Sequence, residues 1–139
     1  MATIDDALII RDILDTNWNS GNVAKPVFYY TDAIKTHDYR RDAIKVYVRS
    51  GPLRNPMGIG YNTESVSTGI SVDIRCSNRD RMLALRDEAN RVLMSVRKNP
   101  DSNYDLLLCS SERQITGYAN FWHYVIEITL KNNMRTIVT

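Results

Sequence analysis

The chain of 139 residues is short of cysteine, histidine and proline, and neither sign of charge is in marked excess. Two cysteines, Cys76 and Cys109, cannot build a disulfide scaffold, and one domain of this length buries a sizeable core without one. Each lies in a strand pattern, so both are expected reduced and buried. The two histidines, His37 and His123, stand at no metal-ligating spacing from Cys, Asp or Glu. No apolar run approaches membrane-spanning length, so no membrane partner is expected. The start, MATIDDALII, has acids where a secretory leader needs a basic region, which predicts a chain made in the cytoplasm. Eighteen basic and sixteen acidic residues are well mixed and leave +2, a statement about solubility and not a nucleic-acid footprint.

What is present is organised around residues 69–99, GISVDIRCSNRDRMLALRDEANRVLMSVRKN, where the hydrophobic period changes halfway. Ile70, Val72, Ile74 and Cys76 alternate with Ser71, Asp73 and Arg75, the pattern of a half-covered strand. Ser77 or Asn78 then caps a helix with Asp80 in its first turn, where the dipole favours an acid. Met82, Leu85, Ala89, Val92, Leu93 and Val96 fall on one face, with Arg81, Asp87, Glu88, Arg91 and Lys98 away from its centre. Asn99-Pro100 is expected to stop the helix. An apolar stripe of this kind must be buried against a sheet.

Before this unit, Thr3 and Asp6 resemble a capping box that opens a helix to about Trp18. Its apolar arc is wide, from Ala7, Ile10 and Leu14 round to Ile9 and Ile13, which predicts contact with two neighbours. A short aromatic strand follows Pro26, and residues 43–48 alternate as another strand. Residues 50–68, SGPLRNPMGIGYNTESVST, hold three of the six glycines and two of the four prolines and show no period. They read as a long loop, either a functional arm or disordered, with Leu53, Met57, Ile59 and Tyr61 as anchors if it docks. Further on, residues 104–109, YDLLLC, are apolar on both sides, as in a central strand or one covered by a partner. Residues 118–130 send Trp122, Tyr124, Ile126, Ile128 and Leu130 inward, and a mobile tail is expected from about 132. The expected fold is one two-layer α+β domain over residues 1–139: an antiparallel, possibly mixed, sheet of four to five strands with two helices on one face.

Catalytic and ligand-binding patterns are sought with little return. Gly51, Gly58 and Gly60 lack the Lys-Ser/Thr pair and the helix start of a phosphate cradle. His123 and Glu127 share a strand face but lie about 13 Å apart along it, too far for one metal or a base and its orienter. His37 beside Asp38 reads as a solvated turn. Neighbouring acids such as Asp87 and Glu88 diverge on a helix. Arginines around the long helix alternate with acids, which cancels a phosphate-tracking stripe, so no specific nucleic acid is expected. The residues point to no enzyme, no metal and no cofactor. Leu83 and Met94 fall together on the flank of the long helix, either as surface scatter or as a contact with a second subunit rimmed by Arg86 and Arg97.

In layout the chain resembles the tail-terminator and tail-completion proteins of long-tailed bacteriophages and related archaeal viruses. The likeness is carried by the first helix IDDALIIRDILDTNW, the glycine- and proline-rich segment at residues 50–68, the strand–helix unit of residues 69–99 and the closing FWHYVIEITL. It implies a non-enzymatic virion protein that closes into a ring, commonly of six, at the head-proximal end of the tail. Such a ring stops tube growth and docks the head, with the tail-tube protein and a head-completion or connector protein as partners. The alternative reading is a small α+β nucleic-acid-binding or regulatory module.

Overall fold

A computed structural model describes residues 6–29, 42–57, 63–102, 104–118 and 121–136. In chain order its elements are α1 (Asp6–Asn17), β1 (Val27–Tyr29), β2 (Ala43–Met57), β3 (Thr63–Cys76), α2 (Arg79–Ser95), β4 (Lys98–Asp101), β5 (Tyr104–Tyr118) and β6 (Phe121–Thr136). The change of period after Cys76 is the hand-over from β3 to α2. Asn78, in extended backbone, accepts the Arg81 amide at 3.1 Å and so satisfies one of the orphan donors of the first turn. Met82, Leu85, Ala89, Val92 and Leu93 are all buried. They close over Ile70, Val72 and Ile74 of β3 and Ile126, Ile128 and Leu130 of β6, in one core that also takes Ala7, Ile10 and Leu14 of α1.

The α+β arrangement of two helices against one sheet is as expected, but the sheet is larger. Among the described residues it has six strands, not four to five, in the order β1-β2-β3-β6-β5-β4. Every neighbouring pair is antiparallel except β1 with β2. The undercount has a local cause at β4, whose four residues, Lys-Asn-Pro-Asp, contain a proline and no alternation. Such a segment is tolerable only on an edge, where β4 lies against β5. Asn99 has φ 50° there, a left-handed conformation that asparagine accepts more readily than most residues. Asn99-Pro100 therefore lies in a strand, and α2 ends earlier, where the Val96 N–H donates to the Leu93 carbonyl.

Residues 50–68, expected as a loop, are mostly strand: β2 continues to Met57 and β3 begins at Thr63, paired from Leu53↔Ser67 to Met57↔Thr63. Two register shifts, between Val48 and Ser50 and between Ser50 and Leu53, break the alternation that would have shown it. Gly51 sits at the bulge with φ 108°, and a Cβ there would meet the Ser67 carbonyl oxygen at 3.0 Å. The tail expected from 132 is also paired, β6 running on to Thr136 with Val66↔Asn132 and Thr63↔Thr136. Thr3 and His37 lie outside the described residues.

Three polar ties fix the helices. The Tyr104 hydroxyl donates to Asp6 Oδ2 at 2.8 Å and lies 3.3 Å from Thr68 Oγ1, joining α1 to β5 and β3 inside the core. Arg81 pairs with Asp42 and donates to the Ala24 carbonyl, holding α2 to the segment before β2. Glu88, expected on the polar side of the helix, is buried instead, because that flank meets the end of α1. It accepts from Asn22 Nδ2 at 3.0 Å and from Arg91, which in turn donates to the Asn17 carbonyl at 2.9 Å. Burial would raise the Glu88 pKa, but the bonds from Arg91 and Asn22 outweigh it and hold the carboxyl below its ordinary value.

Candidate self-association surface

The surface follows from how the strands end at the two sides of the sheet. On β2, β1 pairs only at Ala43, Ile44 and Lys45, so among the described residues nothing lies beside the outer edge from Val46 onward. On β5, β4 reaches Leu106, and the last bond on that side is from the Leu107 N–H to the Arg97 carbonyl at 2.9 Å. Beyond Leu107 the outer edge of β5 is likewise without a neighbour among the described residues. Both edges carry exposed apolar side chains: Val48 and Leu53 on β2, Leu108 and Ile115 on β5. Leu53 is the most open of them, at 63 %.

Pairing registers show which of these share a face. Leu53 aligns with Ser67, Lys131 and Leu106 in one row across the sheet, and Ser50 with Gly69, Thr129 and Leu108 in the next. Both rows point away from the helices, since Val66, Thr68 and Ile70 between them point into the core. On the helix side, Val48 aligns with Ile70, Ile128 and Cys109.

The sequence-predicted interface residues are distributed unevenly. Leu53 is at the β2 edge, and Met57 ends that strand. Ile59 and Tyr61 lie outside the described residues. Leu83 and Met94 separate: Leu83 packs partly buried against the core, while Met94 is 52 % exposed. Arg86 donates to Asp87 Oδ1 and its guanidinium lies 5.6 Å from the Tyr124 ring centroid, and Arg97 is exposed. Asn90, one turn before Met94, donates to Glu112 of β5 at 3.2 Å, so Met94 stands on the β5 side of the molecule. The sequence singles out Leu108 only within the two-sided apolar run at residues 104–109, and Val48 and Ile115 not at all, because exposure of a strand residue depends on which strand becomes an edge.

The face away from the helices also holds a polar cluster. Asp73, buried, has Oδ2 at 3.3 Å from His123 Nε2 and 3.8 Å from Arg75 Nη2, and its Oδ1 has no hydrogen-bond partner among the described residues. Antiparallel pairing brings Asp73 to His123 diagonally across β3 and β6. Among the described residues no group of three His, Cys, Asp or Glu side chains is placed to hold a metal ion. Cys76 is buried as expected, but Cys109 is exposed, because β5 is open where it sits. Desolvation and the Glu112 carboxylate push the Cys109 thiol above its ordinary pKa, which keeps it protonated and a weak nucleophile at neutral pH. No helix among the described residues is long and apolar enough to cross a membrane. No family model matches the sequence, and no curated protein matches it.

Proposed function

We propose that the protein is a structural virion component that closes into a homo-oligomeric ring, caps the tail tube, stops its growth and provides the surface for head attachment. The observation that carries the self-association is the pair of unlike apolar edges, Val48 and Leu53 on β2 at one side of the sheet, Leu108 and Ile115 on β5 at the other. A cyclic ring needs two different patches that fit one another, whereas a twofold dimer needs one patch that fits itself. The assignment to the tail comes from the resemblance in layout, which also supplies six as the expected number of copies, the tail-tube protein and a head-completion or connector protein as partners, and the head-proximal end of the tail as the location. On this reading the chain works by binding alone, without catalysis or cofactor.

The test is particle mass by light scattering together with negative-stain imaging, on the protein alone and after addition of tail-tube protein. Rings of uniform mass that bind one end of the tube are expected. A sharp monomer mass at tens of micromolar, unchanged by tail-tube protein, refutes the reading. If that monomer also binds labelled single-stranded RNA, with affinity that falls as salt rises, the alternative of a nucleic-acid module takes its place.

A further inference from the structure

We infer that neighbouring copies join by strand addition, the outer edge of β2 in one copy extending the sheet at the outer edge of β5 in the next. The inference rests on the reading that the protein self-associates head to tail, and it names the atoms that meet.

Backbone chemistry sets the requirement. Beyond Leu107, β5 presents N–H and C=O groups with no strand beside them among the described residues, through residues 108–118. That run contains no proline, and Glu112 and Arg113 are its only charged residues. Proteins usually blunt an exposed edge with proline, clustered charge or bulges; β5 has register shifts between Cys109 and Ser111 and between Gln114 and Thr116 but neither proline nor a charge cluster along this run, and an edge so lightly guarded is a template for another strand. The β2 edge is treated differently along its length. Pro52 and Pro56 lack the N–H that a ladder uses, whereas residues 46–50 keep theirs. A shared ladder is therefore confined to residues 46–50 of β2, and the prolines stop it from sliding further.

Strand direction makes a second copy of the chain the occupant. β2 is antiparallel to β3, β3 to β6 and β6 to β5, so β2 and β5 run in opposite directions. A copy rotated about an axis along the strands brings its β2 antiparallel to β5, and the alternation of the sheet continues across the boundary. At equal height along the strands, Val48 of one copy meets Cys109 of the next on the helix side, since both align with Ile70 and Ile128. On the other face Ser50 meets Leu108, and Leu53, at the height of Leu106 where β4 already flanks β5, lies within one row of Leu108.

The native Cys109 thiol, exposed on β5, reports the contact, with Cys76 buried out of reach. Val48→Cys is prepared and treated with a short bis-maleimide, at a pH raised until Cys109 of the diluted monomer reacts with a monofunctional maleimide and at a concentration where light scattering gives the oligomer mass. Expected is a ladder of covalent oligomers on a denaturing gel that reaches the ring number, reduced at least tenfold in Val48→Cys with Cys109→Ser. Amides of residues 108–112 should also exchange at least tenfold more slowly in the oligomer than in diluted monomer. An oligomer of the wild-type mass that gives no ladder with Val48→Cys, and no slowed exchange in β5, overturns strand addition and leaves the ring standing. A monomeric mass for wild type and all variants overturns both.

Discussion

Glu88 offers the sharpest test of how the two helices are held, because the sequence places it on the polar flank of α2 and the fold buries it. Glu88→Ala removes the acceptor of the Asn22 amide and takes one methylene and the carboxylate out of the packed boundary between α2 and the end of α1. The lost hydrogen bond is worth about 1 kcal/mol and the methylene about 0.8 kcal/mol. The relief of no longer burying a carboxylate offsets part of this, which leaves a loss of about 1.5 kcal/mol. The Arg91 guanidinium faces water and remains solvated after the change, so the cost falls on the buried end. For a chain of this size about 1.5 kcal/mol lowers Tm by roughly 4 °C. Glu88→Gln keeps the methylenes and one oxygen and should cost about half as much. The folded-state pKa of Glu88 lies below its unfolded value, so its stabilisation is complete above the ordinary carboxylate range and is lost as pH falls through the folded value. Urea denaturation, followed by tryptophan fluorescence at one fixed protein concentration, is measured at pH 7 and in steps into acid. The gap between wild type and Glu88→Ala should be largest at pH 7 and close on acidification. A variant within about 0.5 kcal/mol of wild type at pH 7, or a gap that widens in acid, would refute the reasoning.

Further outcomes follow from other contacts. Leu85→Ala, at a fully buried position, should lower stability by about 2–4 kcal/mol through the cavity it leaves, measurable as a lower urea midpoint with unchanged slope. Tyr104→Phe removes the hydroxyl that donates to the buried Asp6 carboxylate and should cost about 1–3 kcal/mol; double-mutant cycles with Asp6→Asn should show the two changes to be non-additive. Leu53→Ser with Leu108→Ser changes two exposed side chains on the open face, so the urea midpoint of the monomer should move little while the oligomer mass falls to that of one subunit.

The parts of the fold legible in the sequence are those in which one local period survives intact. The β3–α2 unit is the clearest: alternation through Ile70, Val72 and Ile74, a capping Asn78 and a stripe from Met82 to Leu93 each report a contact that the residue's own neighbours determine. Where a strand is irregular the signal goes. The bulges after Val48 shift β2 out of phase, Gly51 takes a backbone conformation foreign to a strand, and the alternation expected of a hairpin reads as a loop. β4 was invisible for a different reason, since four residues with a proline carry no period at all and become a strand only because β5 is there to pair with.

The candidate surface shows the same division at the next level. Leu53 could be named from the sequence because a lone leucine among glycine, proline and arginine has no local partner to bury it. Leu108 could not, because in Leu106-Leu107-Leu108 every position is equally apolar. Its exposure follows from two distant facts: β6 takes the inner side of β5, and β4, antiparallel to β5, begins only at Lys98 opposite Leu106, which leaves the rest of the outer side unshielded among the described residues. The two-sided apolarity of that run, read as the mark of a central strand or one covered by a partner, is resolved by topology. Leu107 faces the core, nearly fully buried, while Leu108 faces the open side and, among the described residues, is left exposed. A strand that keeps an apolar residue on its open face and no proline along its free edge has the chemistry of a central strand in an edge position. Strand addition from a second copy removes that mismatch, and it does so with residues 46–50 of β2, which lie between the β1 pairing and Pro52, keep their N–H groups and stand at the matching height.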